Sequence, residues 1–208
     1  MLHSTNTEED AVETAIQMIN LCKEGGFNLT KWLSNSKRVL EELPTEKLAK
    51  GVQDMDLRDS VLPNERALGL EWDPEEDTFR IKVKQKEPVP TKRGLLSYVS
   101  SVYDPLGFVS PFVLTAKKLF QQETKLQKNW DDPLEKSTAD GFSGWLKELP
   151  NLTNIPIKRC ILPDDTVIKR IELHHFADAS SEAYGTASYV RVTDVHDKIT
   201  VAFVFGKS

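Results

Sequence analysis

The residues best placed to do chemistry lie in Glu172–Arg191, ELHHFADASSEAYGTASYVR. The stretch alternates like a strand up to Ala177, presents Asp178, turns on small residues and enters a second alternating run. A carboxylate at a strand end, ahead of a turn, is a way to hold a metal ion. His174 and His175 stand beside it, but adjacent strand residues face opposite sides of a sheet and cannot both converge on it. We expect one packed and one exposed. Glu172, near the expected strand start, and Glu182, in the turn, are read as structural.

A second kind of chemistry is electrostatic. Arg80, Lys82 and Lys84 alternate with Phe79, Ile81 and Val83, so a strand there has one cationic and one apolar face, and Lys86, Lys92 and Arg93 extend the charge. The bland reading of such a face is solvation. Cys22 and Cys160 match no metal-ligand spacing and read as free thiols. Asp104 precedes proline in YDPLG and reads as a cap, and no Asp-Ser/Thr-Gly triplet of an aspartic peptidase is present.

These residues need elements to position them. Thr5 and Glu8 suggest a capping box opening an amphipathic helix over 5–24, stopped by Gly25-Gly26. A short strand from Phe27 to Lys31, a helix over 36–43 and a loop of about twenty polar residues follow. Residues 66–72 and 77–84 read as hairpin arms around Asp73–Glu76, with Gly69 allowing close backbone approach. Thr91 caps a helix that ends at the Tyr103–Gly107 turn, Pro111 opens another running to about Trp130, and a third covers about 134–149. Strands are expected over 168–177, 183–192 and 198–205, with a boundary near 150–165.

Over 208 residues with 39% hydrophobic and 28% charged content, no apolar run approaches the ~20 residues of a membrane span. Neither a membrane partner nor a secretory leader is expected, and an intracellular location, cytoplasmic or in a virus-like particle, is anticipated. The formal charge of −5 argues against a surface wholly given to nucleic acid.

In that order the segments resemble the Pol polyprotein of BEL/Pao-type LTR retrotransposons. GGFNLTKWLSN, Gly25 to Asn35, is similar to the late palm of a reverse transcriptase, and Leu68-Gly69-Leu70-Glu71-Trp72 to its primer-grip strand. TKRGLLSYVSSVYDPLGFVSP, Thr91 to Pro111, resembles the thumb-like segment labelled Pao retrotransposon peptidase. FADASSEAYG, Phe176 to Gly185, resembles the opening of a ribonuclease H domain. The resemblance implies an α+β or α/β chain in three parts: late palm and primer-grip hairpin over 1–87, helical thumb or connection over 88–160, and the first three strands of a ribonuclease H-like fold over 161–208.

It also implies metal-dependent nucleotidyl transfer and cleavage of RNA in an RNA–DNA hybrid, with Mg2+ as cofactor of the intact polyprotein. Asp178 matches the first metal-binding, catalytic carboxylate. Two-ion chemistry takes about four carboxylates, and the resemblance places the others beyond Ser208 and the polymerase YxDD turn before Met1. The expectation is a fragment that is incomplete as a catalyst and binds no ion stably. Its partners would be a template–primer duplex or RNA–DNA hybrid and the remainder of the polyprotein. An alternative is a nucleic-acid-binding module using Gly69, Trp72, Arg80, Lys82, Lys84, Lys92, Arg93, Lys117 and Lys118. A third reading, following the family label, is an aspartic-type peptidase.

Overall fold

In the computed structural model, residues 3–57, 59–67, 69–83, 87–162 and 166–208 are described. The chain divides into two compact units, Met1–Phe79 and Arg80–Ser208. Among the described residues no helix is long and apolar enough to cross a membrane.

In the first unit, helix α1 spans Glu8–Glu24. Its cap is Thr7, whose Oγ1 accepts from Asp10 N at 3.1 Å, rather than Thr5, whose hydroxyl donates to Thr7 C=O. Glu8, Glu9 and Asp10 in the first turn suit the positive end of the helix dipole. Helix α2, Lys37–Glu42, is capped by Ser36 Oγ, which also donates to Glu8 Oε1 at 2.5 Å. The anticipated strand at 27–31 does not form; Trp32 makes a lone bridge to Leu48. The polar stretch after Pro44 holds a 3-10 turn at Thr45–Lys47 and helix α3, Lys50–Gln53. Its apolar residues Leu48, Ala49, Val52 and Leu62 join Leu40 and Ala15 in this unit's core.

The expected first hairpin arm is broken. Gly69 has φ +83°, open to glycine at little cost, and the chain turns there. Strands β1, Glu65–Ala67, and β2, Leu70–Asp73, pair antiparallel, with Ala67 opposite Leu70. Strand β3, Thr78–Arg80, lies beside β2 in the sheet after four residues, as the second hairpin arm predicts, although it ends at Arg80 rather than 84.

In the second unit, helices α4 (Lys92–Val99), α5 (Ser110–Lys125) and α6 (Lys136–Glu148) pack in sequence order. Thr91 Oγ1 caps α4 through Gly94 N, and Pro111 sits in the first turn of α5, where its missing N–H costs nothing. α5 ends at Lys125, short of the expected Trp130. Leu95 and Ala116 are wholly buried, and burying a leucine side chain contributes about 1.5–3 kcal/mol. Tyr98 meets Phe142 edge-on at 5.8 Å, and Phe112 stacks on Trp145 at 5.1 Å while accepting at its carbonyl from the indole N–H.

A short strand β4, Ile157–Lys158, precedes three long strands: β5 (Ile168–Ala179), β6 (Tyr184–Asp194) and β7 (Ile199–Lys207). They form an antiparallel sheet in the order β5-β6-β7, at the positions the alternation predicts. Helices and sheet both lie in the unit Arg80–Ser208.

Candidate functional site

Asp178 is exposed near the end of β5, and its Oδ1 accepts from the following amide, Ala179 N, at 2.8 Å. The turn is built by Ser180. Its amide donates to Ala183 C=O at 2.8 Å, and its Oγ accepts from Glu182 N and Ala183 N at 3.2 Å each. Glu182 is ion-paired to Lys118 of α5, which ties the turn to the helices. The hydrogen bond from Lys118, then its charge, and more weakly the charge of Lys125, hold the Glu182 carboxyl below the usual carboxylate range.

Strand alternation and the β5–β6 register put Glu172, His174, Phe176 and Asp178 on one face, beside Arg191, Tyr189, Ala187 and Gly185. Glu172 does not approach Asp178 as a second ligand. It accepts from Arg170 at 2.8 Å and from Arg191 at 2.5 Å, and it sits in mid-strand rather than near the start. His175 faces the other side, with Nδ1 2.7 Å from the hydroxyl of the buried Ser188 on β6. Both histidines are exposed, so the expected packed histidine is not found. From Phe176 an aromatic series continues edge-to-face to Tyr189 and Phe203 and then, tilted, to Phe108, leading from Asp178's strand back to the α5 entry loop.

This donor set does not fit a resident two-ion centre. Among the described residues no group of three or more His, Cys, Asp or Glu side chains converges. The acidic residues flanking Asp178 in the sequence, Glu172 and Glu182, are ion-paired to arginine or lysine.

The basic residues are dispersed. Lys92 is buried, its Nζ donating to Lys128 C=O at 2.7 Å and lying 5.2 Å from the Trp130 ring centroid. That ammonium is occupied within the fold and does not face solvent. Arg93 makes a bidentate pair with Asp131 at 2.7 and 3.0 Å, which holds the aspartate's carboxyl below its ordinary range. Lys117 donates to Ser208 C=O at 2.7 Å, and Lys118 holds Glu182. Trp72 is buried and donates from Nε1 to Asp77 Oδ1 at 3.1 Å, so its ring is not offered for stacking. Gly69 and Lys82 are exposed, Arg80 is half-buried on β3, and Lys84 lies outside the described residues.

Sequence reading treated Asp104 as a cap, and it is one of unusual reach. Oδ1 accepts from Gly107 N (2.9 Å) and Phe108 N (3.0 Å), and Oδ2 from Val109 N (2.8 Å). Both oxygens are thus engaged by backbone. What the sequence did not reveal is that this loop seats the sheet. Gly206 N donates to Leu106 C=O at 2.8 Å, Phe108 packs on Phe203, and Ser208 Oγ donates to Ser110 C=O. Gly107, at φ +80°, lies so close that an added Cβ would stand 1.8 Å from Gly206 C=O. A glycine facing a glycine across a hundred residues leaves no local sequence signal.

The sequence model of a family described as Pao retrotransposon-like RNaseH-like domain matches residues 91–208, more than half of the chain. Comparisons with curated proteins and with solved structures found no match.

Proposed function

The chain belongs to the Pao retrotransposon-like RNaseH-like family, a Pao-type retrotransposon Pol region, and on that footing we propose that it is the scaffold and first metal ligand of a nuclease acting on RNA–DNA hybrids. The observation that carries this reading is Asp178, exposed near the end of the first long strand of the matched segment. Mg2+ in such a centre would activate water and steady the leaving oxygen. This chain's share is one carboxylate held on a stiff strand, with its turn fastened to α5 through Glu182 and Lys118. By this reading the chain alone is not catalytically complete, since the acidic residues flanking Asp178 in the sequence, Glu172 and Glu182, are committed to ion pairs.

We read residues 1–87 as late palm with a primer-grip-like hairpin, supported by β2 and β3 lying side by side at the expected place. Residues 88–160 are read as thumb or connection, supported by the three packed helices. The reading as a template–primer-binding module keeps Gly69, Arg80 and Lys82 but loses Lys92 and Trp72 to the interior. Proteolysis is not proposed, because Asp104 spends both oxygens on backbone amides.

The test is incubation of the purified chain with a labelled RNA–DNA hybrid and Mg2+, alongside Mn2+ titration followed by NMR. We expect no cleavage, and paramagnetic broadening at the amides of residues 177–180 that Asp178→Asn abolishes. Cleavage lost in Asp178→Asn would overturn the incompleteness; absence of broadening there would overturn the ligand assignment.

A further inference from the structure

Helix α5 has two opposed lines of residues. Ala116 and Glu123, seven apart, are 0% and 1% exposed and mark the side turned into the protein. Lys118 and Lys125, also seven apart, each stand two residues further along, about 200° around a helix of 3.6 residues per turn. They therefore share the outward side, where Lys118 is half-buried and Lys125 exposed. Lys118 is ion-paired to Glu182, in the turn that Ser180 N closes on Ala183 C=O directly after β5. That pair brings the outward side of α5 against the Asp178 turn, and the charge of Lys125 reaches Glu182 from the same line of the helix.

The charges at the turn decide what α5 can offer a nucleic acid. Asp178 and Glu182 both repel a phosphate backbone, which a nuclease substrate must nevertheless bring to Asp178. Lys118 offsets Glu182 but is held by it in contact. Lys125 is the next cation on the line, and among the described residues its ammonium makes no ion pair. Its other assignment is the helix dipole, since it stands in the last turn of α5, where a cation faces the negative end. That role acts on the stability of the helix and leaves nucleic-acid binding untouched, so the two are separable by experiment.

We propose that Lys125 holds a backbone phosphate of the RNA–DNA hybrid beside the Asp178 turn. This rests on the nuclease reading and adds to it a residue that contacts the substrate. The experiment is fluorescence anisotropy of a labelled RNA–DNA hybrid with the whole chain, in EDTA, over roughly 50–200 mM salt. Each phosphate neutralised contributes about 0.9 to the slope of log affinity against log salt. In Lys125→Ala affinity falls and the slope shrinks by about 0.9, one phosphate contact, while Lys125→Arg keeps the wild-type slope. Lys147→Ala, which removes an exposed lysine of α6, leaves the slope as it is. A lower melting temperature of Lys125→Ala with an unchanged slope assigns the lysine to the helix dipole alone and overturns the proposal. An equal loss of slope in Lys147→Ala overturns it as well, by reducing the effect to net charge, and so does absence of hybrid binding. The metal-ligand role of Asp178 is judged separately by the Mn2+ titration, so either reading can fail without the other.

Discussion

A carboxylate's chemistry is decided by what surrounds it. Three acidic residues of the β5–β6 hairpin, Glu172, Asp178 and Glu182, were visible in the sequence, and their environments separate them. Glu172 faces two arginines, Glu182 faces Lys118, and Asp178 accepts from its neighbour's amide. The alternation of the strand puts Glu172 and Asp178 on one face, but of the partners of Glu172 and Glu182 only Arg170 is local to β5; Arg191 comes from β6 and Lys118 from α5, with no local signature. Glu182 gives a pH test. Its folded carboxyl titrates below its unfolded value, so the ion pair's contribution is fully present above the unfolded carboxylate range of about pH 4 and is lost as pH falls through the folded value. Lys118→Met should move the Glu182 midpoint upward, read by NMR titration of its side-chain carbon; an unmoved midpoint would mean that Lys118 does not hold the turn.

At the level of elements, the Asp104–Val109 loop does the most positioning. The proline and glycine of DPLG predicted a stop, and the stop is there, yet its partner is β7, almost a hundred residues later. The misjudged glycine is Gly69. Read as permitting close approach within one strand, it is the left-handed residue of a turn that splits that strand into β1 and β2. Both cases have one physical source: glycine's freedom is legible, but the use made of it is set by tertiary contacts. The same reason explains Leu48, Val52 and Leu62, core residues inside a stretch whose polar composition reads as loop. Two substitutions test the loop. Asp104→Ala strands three amides and should cost about 1–3 kcal/mol. Gly107→Ala forces both a positive φ on a side-chain residue and a collision with the Gly206 carbonyl, and should cost more. Gly144→Ala in α6, where an added Cβ meets nothing, is the control, expected neutral or stabilising by up to about 1 kcal/mol. Chemical denaturation of the three variants checks the order.

For the whole molecule, the switch from helical to strand periodicity near residue 150 suggested a domain boundary, and periodicity alone has no way to distinguish a change of element type from a change of domain. Helix α5 reaches the sheet through Lys117 to Ser208 and Lys118 to Glu182, while its entry loop holds β7 at Gly206 and Phe203. The helices have an apolar centre of their own in Leu95, Ala116, Phe142 and Trp145. The sheet is poorer: β5 is exposed along nearly its whole length, and isolated strands without a covering layer are marginal in water. Residues 87–208 produced alone should therefore unfold in one cooperative transition, with helix and sheet signals lost together. Residues 161–208 alone should give no cooperative transition, and residues 87–160 alone should melt earlier than 87–208, having lost the partners of Gly107, Phe108 and Lys117. Two separate transitions in 87–208, or a stably folded 161–208, would support the boundary near 160 and make the loop at Asp104 a contact between domains rather than the keystone of one.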